Sequence, residues 1–310
     1  MRAVKFGLFY PQVGQSFEVY RDRVRLAEKL GYDSVFCVDH MWQRGMPEVD
    51  HLEAWTLLSA LAATTERIRL GALVLCNSYR NPALLAKMAS SLDHVSGGRV
   101  VLGIGSGWMD EEYRGYGYPF PSTLERIEQL DEALEVIKRL FTEKTADFQG
   151  KYYQLDKAYN RPAPTQKPHP PILIGGGGEK YMLKVVARHA DIWNCPNNHA
   201  LEFDARLAAL KRHCDSLGRD FAEIEVSEQC FIVVGADQAE FEKNWTMAKM
   251  LFGKAFDLEN TAFRGTPDQV VEQLQKRVAQ GVTFFTFLSG DFHAPQSLEL
   301  IAEKVIPALR

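Results

Sequence analysis

The sequence lacks the features that would tie it to a membrane, to nucleic acid or to a secretory route. No window approaches the run of about 18 apolar residues that a membrane-spanning helix needs. The N-terminus leads directly into a strand-like run without the apolar stretch of a signal peptide, so a cytoplasmic location is expected. The formal net charge of −4 is spread over both halves without a basic tract, which argues against nucleic acid as a partner.

Cysteine and histidine are also scattered rather than clustered. The five cysteines are odd in number and form no C-x-x-C pair, which argues against a disulfide framework and a zinc ribbon. Cys37, Cys76 and Cys230 lie in apolar, strand-like runs, where a thiol acts as a small hydrophobic group. The sequence has no H-E-x-x-H motif and no H-x-H after the first strand. We therefore predict no metal site, and a metal-dependent barrel hydrolase is disfavoured.

Short β-branched or aromatic runs alternate with amphipathic stretches of helical period. The starts of the first strand-like runs, near residues 4, 34, 68 and 100, recur at about the thirty-residue length of one βα unit. Repeated βα units imply a parallel sheet covered by helices. The predicted strands are Val4–Phe9, Ser34–Val38, Ile68–Leu75, Val100–Ile104, Ile172–Ile174, Asp191–Trp193, Ile224–Val234 and Phe284–Leu288. The predicted helices are Phe17–Leu30, Glu53–Thr65, Pro82–Val95, Thr123–Phe141, Lys180–His189, Ala200–Leu217, Ala239–Phe252, Pro267–Gln280 and Gln296–Ala308.

Eight strand candidates in a chain of 310 residues fit a closed (β/α)8 TIM barrel better than an open sheet. A doubly wound sheet with a small second domain is the competing architecture. No linker interrupts the chain, so we predict one domain over residues 1–310. Two stretches, near 145–171 and 252–266, do not fit the repeat, and long connections of this kind are usually lids or functional loops.

Four consecutive glycines, Gly175–Gly178, give the clearest local signal. They leave an apolar strand and enter a helix, so backbone N–H groups and the helix N-terminus can approach an anion. The run predicts a phosphate-binding loop, and a tight βα turn that needs positive φ is the alternative. No Gly-Lys-Ser/Thr ending follows, so the run is not a P-loop. Gly103-x-Gly105-x-Gly107 likewise departs from the G-x-G-x-x-G dinucleotide motif.

Asp39 and His40 follow the second predicted strand, at the end of a barrel where sites lie. An imidazole donates or accepts a proton near neutral pH, so the pair is the best acid–base candidate. We predict that Asp39 holds the orientation and tautomer of His40. A histidine capped by Asp39 at the barrel rim is the alternative. The histidines interpreted as surface or helix-end residues are His51, His94, His189 and His293.

The segment Tyr113–Pro121 is unusually aromatic for a loop. It is expected to form a wall over a flat ring system, and a packed loop is the alternative. Charges after the fourth strand, such as Glu112 and Arg114, are commonly only solvated. The candidate substrate pocket comprises Trp42, Trp108, Glu111 and Tyr113.

Taken in order, these motifs resemble the bacterial luciferase-like superfamily, most closely its F420-dependent oxidoreductase branch. The resemblance extends over almost the whole chain, and the order and spacing of the motifs carry it. The matching segments of the first half are Lys5–Phe9, Ala27–Ser34 leading to Asp39-His40, Arg67–Gly71, Tyr79–Pro82, Ser96–Arg99 and Leu102–Trp108. Those of the second half are Lys167-Pro168, Pro171–Gly178, Ala190–Asn194 and Gly265–Pro267.

The resemblance implies a barrel that binds F420, or alternatively FMN, at its C-terminal face. Asp39 and His40 match positions that touch the redox-active part of the ring in deazaflavin enzymes. Ala72–Leu73 matches a place where relatives carry a non-proline cis peptide under the ring. The cofactor-binding residues that the resemblance implies are Asp39, Ala72, Leu73, Asn77, Gly105, Ser106, Gly107, Gly175, Gly176, Gly177, Gly178 and Glu179.

The resulting prediction is an oxidoreductase that transfers a hydride between F420 and a small organic substrate, with His40 carrying the proton. An FMN-dependent monooxygenase of the same superfamily is the alternative, and a non-catalytic flavin-binding protein is a further rival. Trp108 stands where some sugar-phosphate members carry a glutamate, which argues against sugar-phosphate oxidation. Relatives often pair through helices near strands two and three, so a homodimer is expected. The apolar residues considered for that interface are Leu57, Leu58, Leu61, Leu84, Leu85 and Met88.

Overall fold

The apolar runs form short strands that are mostly buried on both faces, as parallel strands covered by helices require. The computed structural model describes residues 3–310. Its strands are β1 (Lys5–Phe9), β2 (Ser34–Cys37), β3 (Arg69–Ala72), β4 (Leu75–Cys76), β5 (Val100–Gly105), β6 (Ala146–Gln149), β7 (Gln154–Ala158), β8 (Ile172–Gly175), β9 (Ile192–Cys195), β10 (Glu225–Val234), β11 (Ala262–Gly265) and β12 (Phe284–Ser289).

Eight parallel strands close into a barrel, in the order β1, β2, β3, β5, β8, β9, β10 and β12. The last of them returns to the first, since Lys5 is paired with Phe284 and Leu8 with Phe287. The predicted (β/α)8 architecture is therefore confirmed. The doubly wound alternative is wrong, because an open sheet would leave β1 without β12 beside it.

Helices on the outside of the barrel follow the capping signals of the sequence. At the start of α3, Asn81 accepts a hydrogen bond from the Ala83 amide at 2.9 Å, and Pro82 occupies the first helical position. Gly97 ends the same helix in the left-handed conformation. The helices are α1 (Phe17–Lys29), α2 (Ala54–Thr64), α3 (Pro82–Ser96), α4 (Asp110–Gly115), α5 (Thr123–Thr142), α6 (Met182–His189), α7 (Phe203–Leu217), α8 (Gln238–Phe252), α9 (Leu258–Thr261), α10 (Pro267–Ala279) and α11 (Pro295–Leu300).

The stretch near 145–171, which does not fit the repeat, contains an antiparallel hairpin of β6 and β7. Two carboxylates from α5, those of Glu128 and Glu132, contact this hairpin, and Glu132 binds its backbone. The Glu132 carboxylate accepts hydrogen bonds from the amides of Lys151, Tyr152 and Tyr153 at 2.8, 2.8 and 3.2 Å. This stretch has no helical period, and its regular structure is a β-hairpin.

The stretch near 252–266 is also more regular than predicted, because it contains α9 and β11. The predicted strand Ile224–Val234 is confirmed as β10. This strand extends beyond the barrel, and its last four residues pair with β11. Together α8, α9 and β11 form an extension beside the end of β10, which we call the annex (residues 238–265). Its apolar contacts with the barrel involve Phe231, Val233, Trp245, Ala248, Leu258 and Leu288.

Most of the apolar residues considered for a dimer interface are used by the barrel itself. Leu57, Leu58, Leu61 and Leu85 are buried in the core of the isolated chain. Leu84, by contrast, is 55% exposed. The homodimer therefore stays a prediction, and fewer exposed apolar side chains support it than the sequence suggested. Sedimentation velocity at micromolar concentration tests it.

The sequence predicts no disulfide framework, no metal site and no membrane-spanning helix. All five cysteines are free and buried. Over residues 3–310, no group of three or more His, Cys, Asp or Glu side chains is arranged to hold a metal ion. No helix in that range is both long and apolar enough to cross a membrane.

Candidate functional site

The loops that follow the barrel strands meet at one end of the barrel, which we call the mouth, because the strands are parallel. Asp39 and His40 follow β2, Asn77 follows β4, and the glycine loop Gly175–Gly178 continues from the end of β8. The barrel therefore gathers at one face the residues that lie far apart in the sequence.

His40 lies at the mouth with one ring nitrogen held and the other free. Its Nδ1 is 2.8 Å from Oε2 of Glu112, a carboxylate on α4. Nδ1 is therefore the donor, because a carboxylate only accepts. The ring also meets Trp108 edge-on, with 5.6 Å between ring centroids. The neutral tautomer that this arrangement favours carries a lone pair on Nε2.

Glu112 is fully buried and every contact it makes is with a donor. Besides His40, its carboxylate accepts a hydrogen bond from Tyr79 Oη at 2.8 Å and another from the Met41 amide at 2.6 Å. Burial by itself would raise the pKa of Glu112, but the hydrogen bonds and charge of His40, with those other donors, hold it below its ordinary value. Glu112 is therefore a fixed anion that orients the imidazole.

Asp39 does not make the contact with His40 that the sequence predicts. Its carboxylate forms a bidentate ion pair with Arg80, at 2.7 and 2.8 Å, and accepts a hydrogen bond from the Cys76 amide at 2.8 Å. Arg80 also contacts Glu53, the residue that caps α2. The predicted orienting role of Asp39 is thus wrong, because Arg80 and the Cys76 amide occupy its two carboxylate oxygens. Glu112 takes that role instead.

A cis peptide bond interrupts the third barrel strand at the mouth. It joins Leu73 to Val74, one residue later than the predicted Ala72–Leu73, and it divides the predicted strand into β3 and β4. Val74 then packs against two glycines. A Cβ added at Gly105 would lie 2.7 Å from Val74 Cγ2, and one at Gly175 would lie 3.0 Å from Val74 Cγ1. These two glycines are therefore explained by the packing of Val74.

Gly107 has a similar reason to lack a side chain. It has φ +76°, and an added Cβ would lie 2.0 Å from Tyr113 Oη. Tyr113 is fully buried, with its hydroxyl 3.0 Å from Cys76 Sγ, and its ring packs on Phe120. Tyr113 therefore belongs to the core rather than to the predicted substrate pocket, whereas Tyr116 and Phe120 of the same aromatic segment are exposed.

The glycine loop Gly175–Gly178 is enclosed on one side and open on the other. An added Cβ at Gly177 would lie 2.6 Å from the His199 ring, whereas at Gly178 the nearest atom is Met182 Cβ at 3.5 Å. Arg206 donates to the Gly177 carbonyl and to Glu202, and its buried Nε has no partner within residues 3–310. Sequence reasoning missed this arginine because it lies on α7, distant from the glycines in the chain.

A shallow cavity of about 520 Å³ opens beside Trp108. The predicted pocket residues Trp108 and Glu111 both line it, and Trp108 is 57% exposed. Arg44 lies over the Trp108 ring at 5.6 Å and forms an ion pair with Glu111 at 3.0 Å. The remaining lining residues are Asp110 and Arg114. Trp42 is half-buried in the loop after β2.

Two asparagines at the mouth each have a buried polar atom without a protein partner in the described chain. Asn77 donates through Nδ2 to Tyr153 Oη at 3.3 Å, while its Oδ1 is unpaired. Asn197, after β9, has an unpaired Nδ2. Buried polar groups are normally hydrogen-bonded, so both atoms fit contact with a polar ligand. Of the other predicted residues, Ser106 is half-buried and Glu179 is exposed.

A further histidine, His293, closes the loop after β12 and is completely buried. Its Nε2 lies 2.9 Å from the Phe9 carbonyl, and its Nδ1 lies 3.2 Å from Ser289 Oγ. Ser289 in turn donates to Asp291 at 2.8 Å. Burial lowers the pKa of His293 to about 4, although the Phe9 carbonyl and Asp291 oppose the shift. This histidine is therefore neutral near pH 7.

The chain was compared with protein families, with curated proteins and with solved structures. The family model described as luciferase-like monooxygenase matches residues 4–256. The FMNH2-dependent dimethylsulfone monooxygenase of Pseudomonas putida is 27% identical over 94% of this chain and 87% of its own. The F420-dependent glucose-6-phosphate dehydrogenase of Amycolatopsis mediterranei is 26% identical over 92% of each chain. The structure of the F420-dependent tetrahydromethanopterin reductase from Methanopyrus kandleri has a TM-score of 0.82 at 20% identity, over 100% of both chains. The chain therefore belongs to the luciferase-like family of oxidoreductases.

Proposed function

We propose that this protein transfers a hydride between F420 and a small organic substrate, and that His40 carries the accompanying proton. The observation that carries the proposal is the His40–Glu112 pair at the mouth. There a fixed carboxylate holds Nδ1 and leaves Nε2 without a partner within residues 3–310. Family membership supports the coarser statement that the enzyme depends on a flavin or a deazaflavin.

The residues at the mouth fit a flat ring with a phosphorylated tail. Val74 supplies an apolar floor, and the unpaired Oδ1 of Asn77 is an acceptor beside it. Asp39 would lie at the ring edge, where its charge is already balanced by Arg80. When bound, the cofactor would supply a hydride acceptor as oxidised F420, or a hydride or electron-pair donor as reduced F420 or reduced FMN, which no amino-acid side chain provides.

At the other end of the cofactor site, the glycine loop would hold a phosphate. Gly178 is open, and the loop leads into the N-terminus of α6, where backbone N–H groups are directed outwards. The buried guanidinium of Arg206 lies against the same loop. Burial and the charge of Arg206 lower the pKa of His199. The loop therefore lies next to the Arg206 cation and next to a neutral His199 ring.

His40 and Glu112 then divide the proton chemistry between them. Glu112 stabilises positive charge on the ring and fixes its tautomer, as the acidic member of a catalytic triad does. His40 Nε2 is left to accept a proton from a substrate hydroxyl or to return it to a substrate carbonyl. Trp108 closes one side of the ring and limits access of water to it.

Reconstitution with F420 and, separately, with FMN tests the proposal. We expect the protein to bind F420 with a saturable change in absorbance and to oxidise or reduce it without oxygen in the presence of a substrate. Binding of FMN alone, with turnover that requires oxygen, would contradict it and establish the monooxygenase alternative. The 27% identity to an FMNH2-dependent enzyme is the observation that keeps that alternative open.

The phosphate assignment has its own test at Gly178. A change at Gly177 would displace His199, whereas Gly178→Asp adds only a carboxylate at an open position. We expect Gly178→Asp to weaken F420 binding by about tenfold or more while leaving binding of the deazaflavin that lacks the phosphorylated tail within about twofold. Gly178→Ala is the matched control and should change neither affinity. Equal losses for the two ligands would show that this loop does not bind the phosphate.

A further inference from the structure

Arg44 stands at the tip of a tight turn in the segment that connects β2 to α2. The Met46 amide donates to the Gln43 carbonyl at 2.8 Å, which closes the turn. Gly45 has φ +80°, the conformation that a type II turn requires at its third residue, and Arg44 is the second. The turn therefore fixes the backbone of Arg44, while the side chain stays largely exposed.

The Arg44 side chain lines the cavity beside Trp108, next to the His40–Glu112 pair. Its guanidinium lies 5.6 Å from the centre of the Trp108 ring, and the same ring lies 5.6 Å from that of His40. The guanidinium and the His40 ring are therefore no farther apart than twice that distance. A small organic molecule with its reacting carbon beside His40 can reach Arg44 with a group at its other end.

The two arginines that line the cavity use their hydrogen-bond donors differently. Arg114 donates through Nε and Nη2 to the two carboxylate oxygens of Asp110. Arg44 reaches a single acceptor within residues 3–310, because Nη2 donates to Glu111 Oε1 at 3.0 Å while Nε and Nη1 have no acceptor in that range. Both members of this pair are exposed, and exposed ion pairs are weak. A ligand can therefore take the place of Glu111 at little cost.

We propose that Arg44 binds a carboxylate of the substrate, at the end of the molecule opposite the carbon that exchanges hydride beside His40. The proposal rests on the proposed function, since it assigns a substrate class to the same site. The planar guanidinium matches both oxygens of a carboxylate, and the largely exposed Trp108 adds an indole N–H donor.

The charges that line the cavity disfavour the other ionic groups. An ammonium group would meet the guanidinium that already lies over the Trp108 ring. A phosphate dianion would bring a second negative charge next to Asp110 and Glu111, which line the same cavity. A singly charged carboxylate replaces the contact of Glu111 with a group of the same kind, so it fits the charges already present.

The experiment uses full-length protein with ¹⁵N-labelled tryptophan, whose indole N–H resonances are followed by NMR at constant ionic strength. Trp108→Phe identifies the Trp108 resonance. The probes are butyrate, butyramide and butylammonium, which are similar in size and differ in charge. We expect butyrate to shift the Trp108 resonance saturably, and the other two to bind about tenfold more weakly or less well still. Trp55, on α2 and outside the cavity lining, is the internal reference. Equal affinity for butyramide, or no response to butyrate, would overturn the proposal.

Three variants assign the response to Arg44. Arg44→Gln should weaken butyrate binding by about tenfold or more, because the charge and the planar fork are both lost. Arg44→Lys keeps the charge without the fork and should retain part of the affinity. Arg114→Gln is the matched control, since it removes the same charge from the same cavity. It should weaken binding by no more than about threefold, because screening by water and salt leaves only a modest effect of an exposed charge. Equal losses in Arg44→Gln and Arg114→Gln would show that net charge alone attracts butyrate, and this would refute the assignment to Arg44.

This inference and the proposed function can fail separately. If neither F420 nor FMN binds to the wild-type protein while butyrate still shifts Trp108, the proposed function fails alone. If F420-dependent turnover is found with uncharged substrates and butyrate gives no response, the carboxylate site fails alone. Where both hold, a substrate with a carboxylate should have a higher kcat/KM than its amide, and Arg44→Gln should remove that preference mainly through KM.

Discussion

Two histidine–carboxylate pairs in this molecule have the same contact distance and different surroundings. At the mouth, His40 Nδ1 is 2.8 Å from Glu112. On the outside of the barrel, His189 Nε2, on α6, is 2.8 Å from Asp131, on α5. Asp131 is also shared with Arg188, and the His189 side chain is only 4% exposed, against 24% for His40.

The difference between the two pairs shows that a histidine–carboxylate contact by itself does not identify a functional site. Burial lowers the pKa of His189 although Asp131 opposes it, so that ring joins two helices as a neutral, enclosed group. His40, in contrast, has a free nitrogen at the end of the barrel where ligands bind. The accessible second nitrogen and the location distinguish a proton carrier from a structural contact.

The largest expected effect is that of His40→Asn, which keeps a polar side chain but cannot titrate. We expect kcat to fall by about 10²- to 10⁴-fold, with cofactor affinity unchanged within a few-fold. The measurement is single-turnover oxidation or reduction of bound cofactor. His189→Asn is the matched variant and should leave this rate within about twofold.

Near-normal single-turnover rates in His40→Asn would assign the proton to another group. Glu111, with its carboxylate paired to Arg44 in the cavity, would then be the next candidate. A comparable loss of rate in His189→Asn would also contradict the comparison, because it would show that the enclosed His189–Asp131 pair affects catalysis.

A third histidine, His293, is enclosed without a carboxylate at hydrogen-bond distance within residues 3–310, and it should make folding sensitive to acid. The buried Glu228, whose pKa burial raises to about 7, acts in the opposite direction. The pKa of His293 is about 4 in the folded protein and about 6.5 when unfolded. Between those values the unfolded chain binds a proton that the folded protein does not, so the free energy of unfolding falls as pH drops through this window. The full effect is on the order of 3 kcal/mol.

Denaturant unfolding at pH 7 and pH 4 measures this dependence. His293→Asn removes the titrating ring and suits the positive φ of 62° at this position. We expect a shallower loss of stability with falling pH in this variant than in the wild type. Identical pH slopes would show that other groups account for the acid sensitivity.

Glu112→Gln should have a smaller effect on catalysis than loss of the imidazole, because His40 remains and only its anchor is weakened. We expect kcat to fall by about 10- to 100-fold, the range seen when a partner behind a functional histidine is changed. The pH profile of kcat should also shift, which loss of stability alone would not produce. An unchanged profile would leave Glu112 with a structural role.

The smallest expected effect is that of Asp131→Asn in the outer pair. We expect a loss of about 1 kcal/mol in the free energy of unfolding, because the carboxylate is part-exposed and the amide oxygen of asparagine can still accept a hydrogen bond from His189. The rate of cofactor turnover should not change. A chemical denaturation curve and a single-turnover trace on the same preparation test both halves of this expectation.

Much of the barrel could be predicted from the sequence, because a strand buried on both faces appears as a short apolar run. The third strand is the exception. Apart from Arg69, the segment Ile68–Leu75 is apolar, so its composition gives no sign of the interruption at Leu73–Val74. In the annex, α8 matches the predicted helix Ala239–Phe252, whereas α9 and β11 are not predicted. The ten residues of β10 are more than the barrel strands beside it can pair, and that excess length is a signal for a further strand.

Within the site, the position of His40 was predictable and its partner was not. Asp110, Glu111 and Glu112 are three consecutive acids, and nothing in their composition separates the buried one from its neighbours. The helical period does separate them: Met109, Glu112 and Tyr113 are buried at positions i, i+3 and i+4. A carboxylate on the apolar face of a helix was the signal for Glu112.

The packing of Val74 between Gly105 and Gly175 has a consequence for how this sequence can change over evolutionary time. A methyl group added to either glycine meets the valine before it meets anything else. A larger residue at 105 or 175 is therefore tolerated only after residue 74 has become smaller. A residue larger than valine at 74 is excluded in turn, because it would collide with the chain at 105 and 175. The three positions are epistatic, and in descendants of this chain they should change in a fixed order or remain as they are.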